Sequence, residues 1–321
     1  MKRLVVSGGR GISFARIMKR YSNILKEIFP IWLATPNNLM SYEIKETFEY
    51  LFFDEASQIP MHEFLPVLYQ NGKERMVICG DAKQLPPSVF FQNRVKEMSE
   101  CLFLPNALEE SMAVGFPRIS LGVHYRSSKQ NIAVSNEWFY ENSLETFAAP
   151  EGMTDIQLVK VNGVYDRGNQ RTNSIDAQKA IDMVREYIGS VSKVSSIGIL
   201  TMNVQQQKLI MMLLKKDMEL QKQLDIRKIE IKVLSLEMAQ GSEFDLVIFS
   251  LGYGKDKDGI MPYQFGPLSH FGGEKRLNVA FSHARKKMAV ISSLSKEDLQ
   301  QLREEKEGVR MLKQILMKYI I

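Results

Sequence analysis

Asp54 and Glu55 are adjacent carboxylates that end a short apolar run, Leu51-Phe52-Phe53, and lead into Ala56-Ser57-Gln58. An apolar run of strand length bounded by polar residues predicts a strand buried on both faces of a parallel sheet, and ligands of such sheets collect at the strands' carboxyl ends. The two carboxylates are therefore expected on a rim where a nucleotide could lie. Phosphoryl transfer from a nucleotide to water is mostly positioning and charge stabilisation; it asks for Mg2+, an oriented water and cations on the terminal phosphate. Arg75-Met76-Val77-Ile78-Cys79 repeats the strand pattern and exits into Gly80-Asp81-Ala82-Lys83-Gln84-Leu85-Pro86-Pro87, which the proline pair stiffens.

The phosphate cradle of a P-loop is missing from these 321 residues. That loop needs G-x-x-x-x-G-K-[ST], because its backbone N–H groups surround phosphate, its lysine reaches the β- and γ-phosphates and its hydroxyl binds Mg2+. Ser7-Gly8-Gly9-Arg10-Gly11 is rich in glycine but does not meet this pattern, and the Gly-Lys pairs at Gly72-Lys73 and Gly254-Lys255 are followed by Glu74 and Asp256.

Taken together, DEASQ at residues 54–58 and GDAKQLPP at residues 80–87 closely resemble motifs II and III of superfamily 1 (1B) helicases, in the branch that includes the nonsense-mediated-decay helicase and bacterial helicase-like proteins. The likeness continues through His124-Tyr125-Arg126-Ser127, similar to motif IV, Gln240-Gly241-Ser242-Glu243, similar to motif V, and the stretch from Arg276 to Arg285, similar to motif VI. It implies ATP and Mg2+ as cofactors and single-stranded nucleic acid as partner. By the same resemblance Asp54 holds Mg2+, Glu55 orients or deprotonates water, and Gln84 senses the γ-phosphate. Arg126 reaches that phosphate from the second domain, Tyr125 lies near the base, and Asp81 faces the nucleotide. Gln240 and Glu243 link nucleotide to nucleic acid, while Gly241 lets backbone approach a phosphate with no Cβ in the way. Motif VI departs from the pattern. His283 aligns with the family's arginine finger, and an imidazole is shorter, has an ordinary pKa near 6.5 and offers no guanidinium fork. Arg285, two residues on, is the substitute, and losing a finger costs about 10³ to 10⁵ in rate.

The elements that must position these residues predict an α/β fold with mainly parallel sheets. The resemblance implies two RecA-like domains of the P-loop NTPase type: residues 1–112, the second half of a first domain with motifs II and III, and residues 113–321, a second domain with motifs IV to VI. The first domain is expected to be incomplete, its motif I supplied by an upstream polypeptide. In chain order the pattern predicts a basic amphipathic helix within residues 1–29 and a strand over residues 30–36; the resemblance makes Thr35, at the end of that strand, a nucleic-acid candidate. An irregular connection follows over 105–117, then strands over 118–123, 156–161, 197–201, 229–234, 245–250 and 288–292. Asn173 is the expected N-cap of a helix bearing Ala180, Ile181, Val184, Tyr187 and Ile188. A long helix is expected over 204–224, after Met202-Asn203-Val204-Gln205-Gln206-Gln207, which occupies the place of the family's TPYxxQ motif.

With 45% hydrophobic and 25% charged residues the composition is that of a folded globular protein of about two domains. A net charge of +5 favours a phosphate-bearing partner only mildly. Cys79 and Cys101 cannot make a disulfide framework, the four histidines give no zinc spacing, and no apolar run reaches membrane-spanning length. The expectation is a cytoplasmic chain without a membrane partner. Two functions compete. One is the C-terminal part of an ATP-dependent DNA or RNA helicase, coupling hydrolysis to translocation when motif I is supplied elsewhere. The other is a non-catalytic nucleic-acid-binding or scaffold module derived from a helicase.

Overall fold

The computed structural model describes residues 13–42, 44, 48–71, 75–87, 106–127, 129–146, 156–168, 170–190, 195–262, 264–270, 272–302 and 305–319. Residues 7–11 and Cys101 lie outside them. The chain divides into two compact units, one of residues 1–82 and 86–118, the other of residues 83–85 and 119–321.

In the first unit, helix α1 (Phe14–Ile28) starts where the Ser13 side chain accepts the Arg16 N–H. Residues 30–35 do not form the expected strand. Ile31 and Leu33 are exposed, and the Thr35 hydroxyl instead caps a short helix α2 (Pro36–Ser41), accepting the Asn38 N–H at 3.3 Å with Pro36 in the first turn. Proline at that position has no N–H to lose and a φ already suited to a helix, so the local signal for helix overrides the apolar run. Strand β1 (Leu51–Phe53), helix α3 (Met61–Asn71) and strand β2 (Met76–Ile78) follow, with β1 and β2 paired in parallel. The expected irregular connection contains helix α4 (Ala107–Ala113), capped by Asn106 and tied down by the Ala107 N–H donating to Ile59 O at 2.9 Å. Phe53, Ala56, Phe64, Val67 and Ala107 make a small core. Phe52 on the opposite face of β1 is 71% exposed and Val77 43%, so among the described residues the sheet is covered on one face rather than two.

The second unit begins with strand β3 (Val123–His124), helix α5 (Lys129–Phe139) and strand β4 (Glu145–Thr146). The expected strand over 118–123 is thus reduced to two residues paired in parallel with β4; Ile119 and Leu121 stay exposed without a ladder. Strand β5 (Ile156–Lys160), helix α6 (Ser174–Ser190) and strand β6 (Ser196–Thr201) match the sequence pattern, and Asn173 caps α6 by accepting the Asp176 N–H at 3.1 Å. The expected long helix is broken into α7 (Val204–Lys216) and α8 (Met218–Arg227), because Asp217 leaves helical geometry and its carboxylate accepts the Leu220 N–H, starting a new helix. Strand β7 (Glu230–Ser235), helix α9 (Leu236–Ala239), strand β8 (Phe244–Ser250), helix α10 (Glu274–Ser282), strand β9 (Ala284–Ser292) and helices α11 (Lys296–Gln301) and α12 (Glu307–Tyr319) complete it.

Five strands form one parallel sheet in the order β5-β9-β8-β6-β7. Its interior strands β6 and β8 are buried at every residue, as continuous apolar runs in a sheet covered on both faces require. One face packs Ile197, Ile199, Leu246 and Ile248 against α6, α7 and α8; the other packs Leu200, Val247, Phe249 and Val290 against α10 and α12. Gly198 is required at the centre, since a Cβ there would fall 2.3 Å from the Phe244 ring.

Candidate nucleotide-facing site

In the first unit the register Phe53↔Ile78 sets the two strand exits side by side. Cys79 N–H donates to Phe53 O and Ala56 N–H to Cys79 O, both at 2.8 Å. Gly80 accepts this close approach because a Cβ would stand 3.0 Å from Ser57 N. The exposed Asp54 accepts the Glu55 N–H at 3.0 Å through Oδ1. Glu55 adopts a left-handed backbone, φ 52°, and its Oε2 accepts from Gln58 Nε2 at 3.0 Å. A non-glycine residue held there is strained, and such strain recurs where a side chain must be aimed. Asp54, Glu55 and Asp81 therefore gather at one end of one small sheet.

Gln84 does not share that unit. Lys83–Leu85 belongs to the second: Asn278 Nδ2 donates to Lys83 O at 3.1 Å, Gln240 Nε2 to Leu85 O at 3.0 Å, and Leu85 is buried in the main core.

The second unit brings Arg126, Gln240, Gly241, Glu243, His283 and Arg285 to the amino-terminal edge of β8 and β9. Gly241 has φ +74°, which turns the chain from α9 into β8. Glu243 uses both carboxylate oxygens on two cations: Oε2 pairs with Arg126 Nε at 2.8 Å and Oε1 with Arg285 Nη1 at 3.2 Å. Tyr125, beside Arg126, is largely exposed. An irregularity in the ladder explains how Arg285 gets there. Phe244 faces Ala284 but Leu246 faces Lys287, so β9 holds one extra residue opposite Asp245. The bulge turns consecutive residues the same way, and Asp245 takes Arg285 Nη2 at 3.2 Å and Lys286 Nζ at 3.3 Å. Burial pushes the Asp245 carboxyl up, but Ser195 N–H, Ser195 Oγ–H and Lys286 outweigh it and hold the pKa below the usual value. Arg285 Nε is buried with no hydrogen-bond partner.

His283 is a different object from a finger. It is 1% exposed between α10 and β9, and burial, then the Arg126 charge, lowers its pKa to about 4. It is neutral at pH 7; its Nδ1 lies 3.2 Å from Ser282 Oγ, and backbone hydrogen bonds at Ala239 and Val279 oppose the shift without cancelling it.

At the carboxyl edge of the same sheet lies a buried polar network. Gln206 Oε1 accepts the Asn173 N–H at 2.8 Å while its Nε2 donates to Asn173 O and Ser250 Oγ. Ser250 Oγ donates to Asp176 Oδ1 and Gly252 N–H to Oδ2. Burial raises the Asp176 pKa to about 7 against these two bonds. Asn203 caps α7 by accepting the Gln206 N–H. The TPYxxQ-like positions Asn203 and Gln206 are thus committed to structure, and only the predicted N-cap at Asn173 pointed toward this cluster.

As for the implied groups, Asp54 offers the exposed carboxylate oxygen that Mg2+ shared with phosphates prefers, although among the described residues no cluster of three or more His, Cys, Asp or Glu could hold a metal unaided. Arg126 and Arg285, the latter with its buried unpaired Nε, fit an anion. Backbone cradling of phosphates by a P-loop is not encoded here. No helix among the described residues is long and apolar enough to cross a membrane.

Residues 105–295 match the model of an AAA domain family, AAA_12. Similar proteins include the ATP-dependent helicase MG140 of Mycoplasma genitalium, 28% identical over 93% of this chain and 28% of that one. Another is the mouse 5'-3' DNA helicase ZGRF1, 24% identical over 77% of this chain and 13% of that one. The chain thus spans little more than a quarter of the first relative's length, or less. Among solved structures, an arterivirus nonstructural protein 10 (helicase) complex with DNA matches over 77% of this chain and 40% of that one, at 14% identity and a TM-score of 0.34. The family match covers more than half of the chain, which therefore belongs to the AAA_12 family of AAA domains and is a superfamily 1 helicase-like protein.

Proposed function

We infer that the chain forms part of an ATP-driven helicase acting on single-stranded nucleic acid, with residues 1–112 belonging to a first and residues 113–321 to a second RecA-like domain. Asp54 serves Mg2+, Glu55 the attacking water, Gln84 the γ-phosphate, and Arg126 with Arg285 the developing phosphate charge; Asp81, Tyr125, Gln240 and Glu243 line the nucleotide, with Gly241 giving backbone access. The observation that carries this reading is the convergence of Arg126 and Arg285 on one carboxylate, although 159 residues separate them in the chain. A motif IV cation and a motif VI cation meeting at one edge is what an anion held between them needs.

Turnover then depends on a polypeptide carrying G-x-x-x-x-G-K-[ST]. The 321-residue chain alone is expected to hydrolyse ATP negligibly with Mg2+ and single strands present. Nucleic-acid-stimulated turnover abolished by Glu55→Gln would show that the phosphate cradle is dispensable and overturn this dependence. The second reading, a non-catalytic nucleic-acid-binding module, is favoured by one observation: the neutral, buried His283 at the finger position. It predicts weak, salt-sensitive binding to single strands that ATP and a motif I polypeptide leave unchanged, whereas the helicase reading predicts that both alter it.

A further inference from the structure

We propose that Glu243 is a built-in competitor for the anion site of the second unit: its carboxylate holds the place between Arg126 and Arg285 that a phosphate takes, and a phosphate binds by displacing it. The proposal rests on the reading of Arg126 and Arg285 as an anion-binding pair and adds how that pair is regulated.

The geometry supports a latch more than a stabilising bridge. Each oxygen of Glu243 serves a different guanidinium, 2.8 Å to Arg126 and 3.2 Å to Arg285, so one negative charge links two cations. Both Glu243 and Arg126 have side chains 42% exposed, so the pairs are solvent-screened and cheap to open. Arg285 is independently anchored. Its Nη2 lies 3.2 Å from Asp245 Oδ1 and 3.3 Å from Ser196 Oγ, so the cation keeps its position when Glu243 leaves. Glu243 lies in the turn between α9 and β8 with an exposed side chain, whereas Asp245 is inside β8 and held by Ser195 N–H and Oγ–H at 2.8 Å. An exposed carboxylate in a turn and a fixed one in the sheet thus address the same arginine. A phosphate brings more charge and three or more acceptor oxygens to the forked donors that Glu243 now occupies with one oxygen apiece.

The test uses the full 321-residue chain and pyrophosphate, titrated by phosphorus NMR at low and moderate salt. Glu243→Gln keeps the shape and loses the charge; it is expected to bind pyrophosphate about tenfold tighter than wild type, the scale of two weak exposed ion pairs removed. Glu243→Asp should stay within about twofold of wild type. Arg126→Ala added to Glu243→Gln should lose the gain, and thermal melts of every variant report folding. Pyrophosphate binding in wild type that Glu243→Gln leaves unchanged or weakens would overturn the competitor while sparing the anion pair. A gain that survives Arg126→Ala would overturn it as well. Absence of binding in both wild type and Glu243→Gln would remove the anion pair itself, and the functional reading with it.

Discussion

Strands β8 and β1 are both apolar runs at the centre of the motifs, yet they sit in different surroundings. Every residue of β8 is buried between two layers of helices, and its neighbours β6 and β9 continue the sheet on either side. β1 has three residues, one partner among the described residues, and Phe52 in the open. Two apolar runs thus yield the interior of a five-stranded platform in one unit and, among the described residues, a half-covered ribbon in the other. A two-stranded ribbon has little independent stability, because each strand leaves one edge unpaired and one face wet.

The largest expected effect of this difference is in hydrogen exchange. Amides of 51–53 and 76–78 should exchange faster than those of 197–201 and 245–250 by on the order of a thousandfold or more, since interior strands open only globally and marginal ones locally. Equal protection would mean that β1 and β2 are supported as well as the five-stranded sheet. Next in size is truncation. Phe249→Ala, fully buried opposite Phe281, should cost about 3–5 kcal/mol in urea unfolding of the second unit. Phe52→Ala should stay within about 0.5 kcal/mol. A large loss from Phe52→Ala would show that its exposed face is covered in solution.

A smaller effect distinguishes the two edges of the large sheet by pH. Burial raises the Asp176 carboxyl from 3.8 to about 7, so its folded state prefers the proton; that stability is complete below the unfolded pKa and is lost as pH rises through about 7. Asp176→Asn should therefore gain on wild type between about pH 4 and 7 and then keep a constant lead. His283 works in the opposite direction. Its lowered pKa means that stability is complete above 6.5 and is lost as pH falls toward about 4, so His283→Gln should flatten the acid side of the same curve. Parallel stability–pH profiles for wild type and both variants would contradict both assignments.

What the sequence made legible follows from how locally each feature is encoded. Interior strands such as Ile197–Thr201 and Phe244–Ser250 are mainly apolar and buried at every residue, and the cap at Asn173 is a single-residue signal. The motif residues Arg126, Glu243 and Arg285, far apart in sequence, are neighbours in space. The failures are those where tertiary partners decide. Residues 30–35 and 118–122 look like strands but have no neighbouring strand among the described residues to pair with. Asp217 in mid-helix is a cap only because the chain turns there. The bulge at Arg285 could not be seen at all, since an extra residue in a strand is defined by its partner. In the second unit Arg126 and Arg285 stand at the amino-terminal edge of the sheet, while its carboxyl edge is filled by the Asp176–Gln206 network.

Helix α10 ends at Ser282 and strand β9 begins at Ala284, so His283 alone is the joint between them. Such a joint has no slack. Inserting one residue there would reverse the inward and outward alternation of the strand up to the bulge or push the bulge out of register with Asp245. Deleting one would pull the helix off its packing face. Surface turns of this protein can drift in length over evolutionary time, but the spacing from Asn278 through His283 to Arg285 is mechanically quantised. Its composition can change far more readily than its length.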